Sequence, residues 1–269
     1  MSGNYRAVFG FKSEPFSNDA APKDLLKLPG MVGVHERLSY THAIGGTMVI
    51  TGEVGSGKST SVRWSLSQIH RSQSAIVFLV GHSGSFSEIL KMIAMELGLE
   101  GRWSSRTRLL SEIRAAVREI VTTKKQQVLL VIDKANLLRP EVLAELHTLT
   151  QFDHDSRNLV TLILCGQSSL LDRLQLRTSQ PLTSRVVAKT HLEPLGRTDM
   201  DDYVTHHLGV AGVKKKLFDE SALTALYQGS SGILRKANAL ARGGLVAAVV
   251  EDRDAVSAEH IRMAMSELL

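Results

Sequence analysis

Gly52-Glu53-Val54-Gly55-Ser56-Gly57-Lys58-Ser59, continued by Thr60, is the stretch that decides how this 269-residue chain is read. Before it stands a short apolar run, TMVIT at 47–51. After it comes a polar stretch, 59–70, with apolar residues at Val62, Leu66 and Ile69. The first has the composition of a buried strand and the second the spacing of a helix. Strand, glycine-rich turn and helix in that order make a loop whose backbone N–H groups converge on an anion. The helix N-terminus adds partial positive charge there. The Gly-Lys-Ser ending then assigns chemistry. Lys58 is expected to reach the outer phosphates of a nucleoside triphosphate, and the Ser59 hydroxyl to bind its Mg2+.

The same rhythm continues outward from the loop. Strands are expected at 75–80, 128–132, 159–165 and 186–192, and helices at 36–45, 86–97, 106–122, 140–152 and 169–174. Alternating strands and helices imply an α/β doubly wound parallel sheet with helices on both sides. From about residue 196 no strand-like run remains, and helices are expected at 198–208, 219–228, 233–251 and 257–269. The expected organisation is an irregular lead-in over 1–30, a nucleotide-binding core over 31–195 and a small all-helical domain over 196–269.

Composition sets the class. Hydrophobic residues are 43% and charged residues 22%, a balance that supports a packed core. The formal charge of +5 tilts partners toward polyanions. The single cysteine, Cys165, lies in an apolar run and reads as a buried thiol in a reducing compartment. No apolar run approaches the roughly 18–20 residues that span a bilayer. The expected location is therefore cytoplasmic, without a membrane span.

The run VLLVID at 128–133 places Asp133 at the carboxyl end of a central strand. A carboxylate there sits beside the phosphate loop and can hold the Mg2+ shell. Lys134 follows it. Lysine, unlike a carboxylate, cannot act as a base toward water.

Several stretches together resemble ExeA/GspA-type AAA+ ATPases: Tyr5, Phe9-Gly10-Phe11 and Pro15-Phe16 at the start, IDKANLL at 132–138, FDHDSR at 152–157 and GQSSL at 166–170. The resemblance covers residues 5 to about 265. It implies ATP as the nucleotide, Arg185 as an arginine finger aimed at the next subunit, Arg235 as a sensor arginine of the lid domain, and Gln167 as a polar sensor. Such proteins usually read Asp-Glu-Ala-His where this chain has Asp133-Lys134-Ala135-Asn136. The resemblance makes that glutamate the residue that polarises the attacking water, so Lys134 implies slow turnover unless Glu53, Asp155 or a neighbouring subunit supplies a base. One branch of the family assists type II secretion. A short soluble branch, similar to the phage Mu B-protein, polymerises on DNA with ATP and delivers target DNA to a transposase. The charge and length favour the second, with a homo-oligomeric ring or filament, duplex DNA and a transposase or integrase as expected partners. Lys91, Arg102, Arg106 and Arg108, around Trp103, are the expected DNA contacts. A non-hydrolysing, nucleotide-dependent scaffold is the third reading, raised by Lys134.

Overall fold

The computed structural model describes residues 5–17, 19–152 and 158–267. In chain order they form α1 (Tyr5–Phe9), α2 (Pro29–Ile44), β1 (Thr47–Gly52), α3 (Lys58–Ser67), β2 (Ser74–Val80), α4 (Phe86–Glu96) and α5 (Arg106–Thr122). There follow β3 (Gln127–Asp133), α6 (Pro140–Leu146), β4 (Val160–Gly166), α7 (Ser169–Leu174), α8 (Gln180–Thr183) and β5 (Val186–Leu192). The remainder is helical: α9 (Arg197–Val210), α10 (Glu220–Ser230), α11 (Leu234–Val250) and α12 (Ala258–Glu267). By contacts the chain divides into a sheet unit, Gly30–Gly52 with Lys58–Leu192, and a helical unit, Glu193–Leu269 with Glu53–Gly57 and the residues up to Pro29.

The five strands of the sheet unit are all parallel, in the order β2-β3-β4-β1-β5. Successive strand side chains point to opposite faces, and both faces are apolar here. Val49, Leu130, Ile132, Leu162 and Leu164 face one core with Ile89, Leu90, Ile113 and Leu143 of α4, α5 and α6. Met48, Ile50, Leu129, Val131, Ile163 and Cys165 face the other with Val34 and Leu38 of α2 and Val62 of α3. Burial on both faces is why β1 and β4 read as unbroken apolar runs.

The expected doubly wound sheet is present, and the bounds of α5, α7 and β5 match those read from the sequence. Two helices differ. α2 begins at Pro29, not near residue 36, because Pro29 suits a first helical position and Met31, Val34 and Leu38 continue one buried stripe. α6 stops at Leu146 and passes into a 3-10 turn over His147–Leu149. There the Thr150 hydroxyl donates to the His147 carbonyl at 2.8 Å, so the chain turns instead of extending to 152.

In the helical unit, Asp219 caps α10 by accepting from the Ala222 N–H at 2.6 Å. Among the described N-terminal residues the elements are α1 and a 3-10 turn over Pro22–Asp24, and Tyr5, Phe11 and Phe16 are buried. Phe16 is buried edge-on against Phe218, at a centroid distance of 6.3 Å, and its carbonyl accepts from Arg242 Nη2 at 2.9 Å. Arg242 also approaches Glu14, to which the Tyr5 hydroxyl donates.

His207 is buried beside Phe16 and Tyr203. Burial, and then the adjacent His206, lower its pKa from 6.5 to about 4. Below 6.5 the unfolded chain therefore binds a proton that the native state refuses. This contribution is whole above that pH and is lost as pH falls toward 4. Denaturant titrations are expected to show roughly 2–3 kcal/mol less stability near pH 4.5 than near pH 7 from this residue. His207→Leu should flatten that dependence, and an unchanged pH profile in the variant would remove the assignment.

Candidate functional site

The glycine-rich loop leaves β1 and re-enters helix at Lys58. Gly55 and Gly57 adopt φ of +89° and +92°, a region that L side chains rarely enter. In the sheet unit Lys58 Nζ donates to the Gly52 carbonyl at 3.0 Å, folding the ammonium back along the loop. The Ser59 hydroxyl donates to Asp133 Oδ2 at 2.7 Å. Residues 74 positions apart thus place a hydroxyl and a carboxylate side by side. Asp133 closes β3, where the parallel strands present their carboxyl ends, the usual ligand side of such sheets.

The other Asp133 oxygen, Oδ1, accepts from the Lys134 N–H at 2.8 Å. Lys134 holds a left-handed backbone, φ 54° and ψ 35°, and its side chain is exposed. A non-glycine residue in this conformation is uncommon and persists where its surroundings hold it. The Cys165 thiol, on the neighbouring strand, is pushed well above its ordinary pKa by burial and then by the Asp133 carboxylate. Gln167 stands exposed just past β4, and its N–H donates to Asn136 Oδ1 at 3.1 Å.

The loop tip belongs to the helical unit. There Arg235 N–H, in the first turn of α11, donates to the Gly55 carbonyl at 3.1 Å. A Cβ on Gly55 would lie 2.6 Å from that of Arg235, so only glycine fits. Ser56 Oγ is buried without a hydrogen-bond partner among the described residues, a donor that a phosphate oxygen would satisfy. The donor set as a whole fits the group that the motif implies. Ser59 and Asp133 are hard oxygen ligands of the kind Mg2+ takes a few of, its remaining positions filled by water and phosphate.

Two groups of expected residues lie elsewhere. Arg185 precedes β5, and its carbonyl accepts from Thr47 N–H, at the start of β1, at 2.9 Å. It is therefore separated from its own Lys58 by the length of β1, roughly 17 Å, beyond the reach of an arginine side chain. The expected DNA contacts are also not one free cluster. Arg106 pairs with Glu145 and lies over the Phe86 ring, and Arg108 pairs with Glu112 at 2.8 Å, to which Trp103 also donates. Lys91 and Arg102 are exposed. Asp155 and the rest of 153–157 lie outside the described residues.

Sequence reasoning passed over Asn136, which the strand-end geometry joins to Gln167. It also passed over a basic patch at the opposite, amino ends of β2 and β3. There Arg71, Lys124 and Lys125 are exposed on two turns, 68–73 and 123–126, tied together by Gln126 Nε2 donating to the Arg71 carbonyl at 2.8 Å. Neither turn contains a carboxylate, a composition signal that was available in the sequence.

A family model described as an AAA domain matches residues 44–174, which contain the loop, Asp133 and Gln167. Among solved structures the chain is similar to Cdc6p from Pyrobaculum aerophilum, with a TM-score of 0.73, 20% identity, and coverage of 95% of this chain and 70% of that one. It is also similar to the Aeropyrum pernix ORC1 protein in complex with DNA, with a TM-score of 0.70, 16% identity, and coverage of 96% and 70%. Fold and loop together define a P-loop protein of the AAA+ class. General secretion pathway protein A of Aeromonas hydrophila is 32% identical over 266 residues, which is 98% of this chain and 48% of that protein. Over nearly its whole length the chain is similar to this ExeA-type AAA+ protein, and it spans about half the length of that relative. Among the described residues no helix is long and apolar enough to cross a membrane.

Proposed function

We propose that the chain is a nucleotide-operated switch that binds ATP with Mg2+ at 52–60 and Asp133, turns it over slowly, and signals its state to neighbouring copies. The observation that carries this reading is the Ser59–Asp133 pairing at 2.7 Å beside the folded-back Lys58. In this reading Lys58 neutralises the outer phosphates, the loop amides orient them, and Ser59 with Asp133 holds the cation. Bound Mg2+ supplies charge neutralisation at the phosphate oxygens. Lys134 offers no carboxylate where a water-activating base would stand, which supports slow turnover. Arg235 beside the loop tip is the residue proposed to sense the nucleotide within the helical unit.

Arg185 cannot serve its own loop, so its proposed role is in a neighbouring copy of a ring or filament. Arg185→Ala is expected to keep ATP affinity within about twofold while lowering assembly-dependent turnover by at least about tenfold. Sedimentation with parallel turnover assays checks this, and full activity in the assembled variant would remove the role.

For the output we propose duplex DNA binding, with delivery of target DNA to a transposase or integrase. The charge of +5 and the carboxylate-free patch at Arg71, Lys124 and Lys125 support it. A second reading, help in assembling a secretion apparatus, is supported by the 32% identity to a general secretion pathway protein. Nucleotide binding and hydrolysis measured with and without duplex DNA separate them. The DNA reading expects ATP-dependent binding that weakens with salt and falls at least about tenfold in Lys124→Glu/Lys125→Glu. Indifference to DNA at moderate salt sinks it in favour of the secretion role. Tight ATP binding without turnover under either condition would mark a pure scaffold.

A further inference from the structure

β3 and β4 run side by side with Ile132 opposite Leu164, so the residues that follow each strand leave the sheet together. After Asp133 the chain turns through the left-handed Lys134 into a 3-10 turn over Ala135–Leu137, which carries Asn136 back across the end of β4. Asn136 is only 8% exposed, and its Oδ1 accepts the Gln167 N–H at 3.1 Å. The approach leaves no room for a side chain at 166: a Cβ there would lie 2.9 Å from Asn136 Oδ1 and 3.0 Å from Asn136 N. On the far side the turn is gripped by β2. The N–H of Gly81 donates to the Asp133 carbonyl at 2.6 Å, and a Cβ on Gly81 would meet the Lys134 carbonyl at 2.7 Å. The turn is therefore clamped between the ends of its two neighbouring strands.

This bears on the carboxylate. Of the two Asp133 oxygens, one takes the Ser59 hydroxyl and the other the Lys134 N–H. The second bond ties the carboxylate to the Asp133–Lys134 peptide, the first link of the turn, so the orientation of the carboxylate follows the position of the turn. We infer that Asn136 is a positioning residue, latching the Asp133 turn to the end of β4 so that the carboxylate and Gln167 are held in one fixed geometry toward a Mg2+-bound nucleotide. The inference rests on the proposed nucleotide site and deepens it. Asn136 acts through the turn, by its bond to the Gln167 N–H.

The test uses the full chain and two readouts. Asn136→Leu, close in size but without an acceptor, is expected to speed amide exchange at Gln167 about tenfold. It should also raise the Mg2+ concentration that half-saturates binding of a fluorescent ATP analogue by roughly three- to tenfold. Affinity for the analogue in the absence of Mg2+ and the melting temperature should stay unchanged. Asn136→Asp keeps the acceptor and should keep the Gln167 amide protected. Gly166→Ala, which displaces Asn136 without altering it, should reproduce both changes, and it decides the matter if Asn136→Leu does not fold. Unchanged Gln167 exchange, or equal losses of affinity with and without Mg2+, overturns the latch. An unmodified chain that binds no nucleotide overturns the proposed site and the role of the latch with it, while Gln167 exchange still reports whether the hydrogen bond exists.

Discussion

Lys58→Ala is expected to weaken binding of Mg2+-ATP by about 100-fold or more. The ammonium lies at the root of the loop, where Nζ donates to the Gly52 carbonyl at 3.0 Å. It exchanges that neutral partner for charged phosphate oxygens when a nucleotide arrives. Charge-assisted hydrogen bonds contribute about 1.5–3 kcal/mol each, and Lys58 offers two outer phosphates such bonds. Alanine removes them while leaving the loop amides, so some affinity survives. Little loss of fold is expected, because Lys58 is half-buried and opens α3 without filling either core. Isothermal titration with ATP and Mg2+ measures the effect. Affinity within a few-fold of the unmodified chain would mean that the loop is not the phosphate cradle.

Lys134→Glu is expected to raise ATP turnover by about 10- to 100-fold while changing ATP affinity by less than about fivefold. Position 134 follows Asp133 directly, its N–H is bonded to the Asp133 carboxylate, and its side chain is exposed. A carboxylate placed there gains the role that lysine lacks, and a positioned general base is worth roughly 10²–10⁴ in rate. The lower part of that range applies because the turn holds a lysine here and nothing in it is arranged to orient a glutamate toward water. Because the backbone is left-handed for either residue, the substitution adds no new strain. A steady-state phosphate-release assay on the assembled protein checks it. Turnover that stays flat would show that the missing carboxylate is not what limits the reaction.

The parts of the molecule legible in the sequence are those set by neighbours along the chain. α5 is read correctly to both ends, because Leu109, Ile113, Val117 and Ile120 repeat at helical spacing and Ser105 caps it. β1, β3 and β4 declare themselves as apolar runs because both sheet faces are covered. The boundaries that moved are those where the local signal was mixed. Pro29 was read as part of a lead-in when it is a helix start, and Thr150 was absorbed into a helix although its hydroxyl bonds the turn that follows Leu146. At the site, loop and Asp133 were readable from motif spacing, but the departure from glutamate at 134 was readable only against the family pattern.

Local order along the chain therefore settled the strand–loop–helix core, the parallel sheet and the phosphate loop, because backbone propensity, side-chain period and glycine freedom are properties of a few adjacent residues. Tertiary structure alone decided which groups meet. It set the Ser59 hydroxyl against Asp133, tied Asn136 to Gln167, capped α11 with the Gly55 carbonyl, paired Arg106 and Arg108 with glutamates, and carried Arg185 to the end of the sheet remote from its own loop. Those juxtapositions depend on strand order and on side chains tens of residues apart reaching hydrogen-bond distance. No periodicity within a short window encodes them.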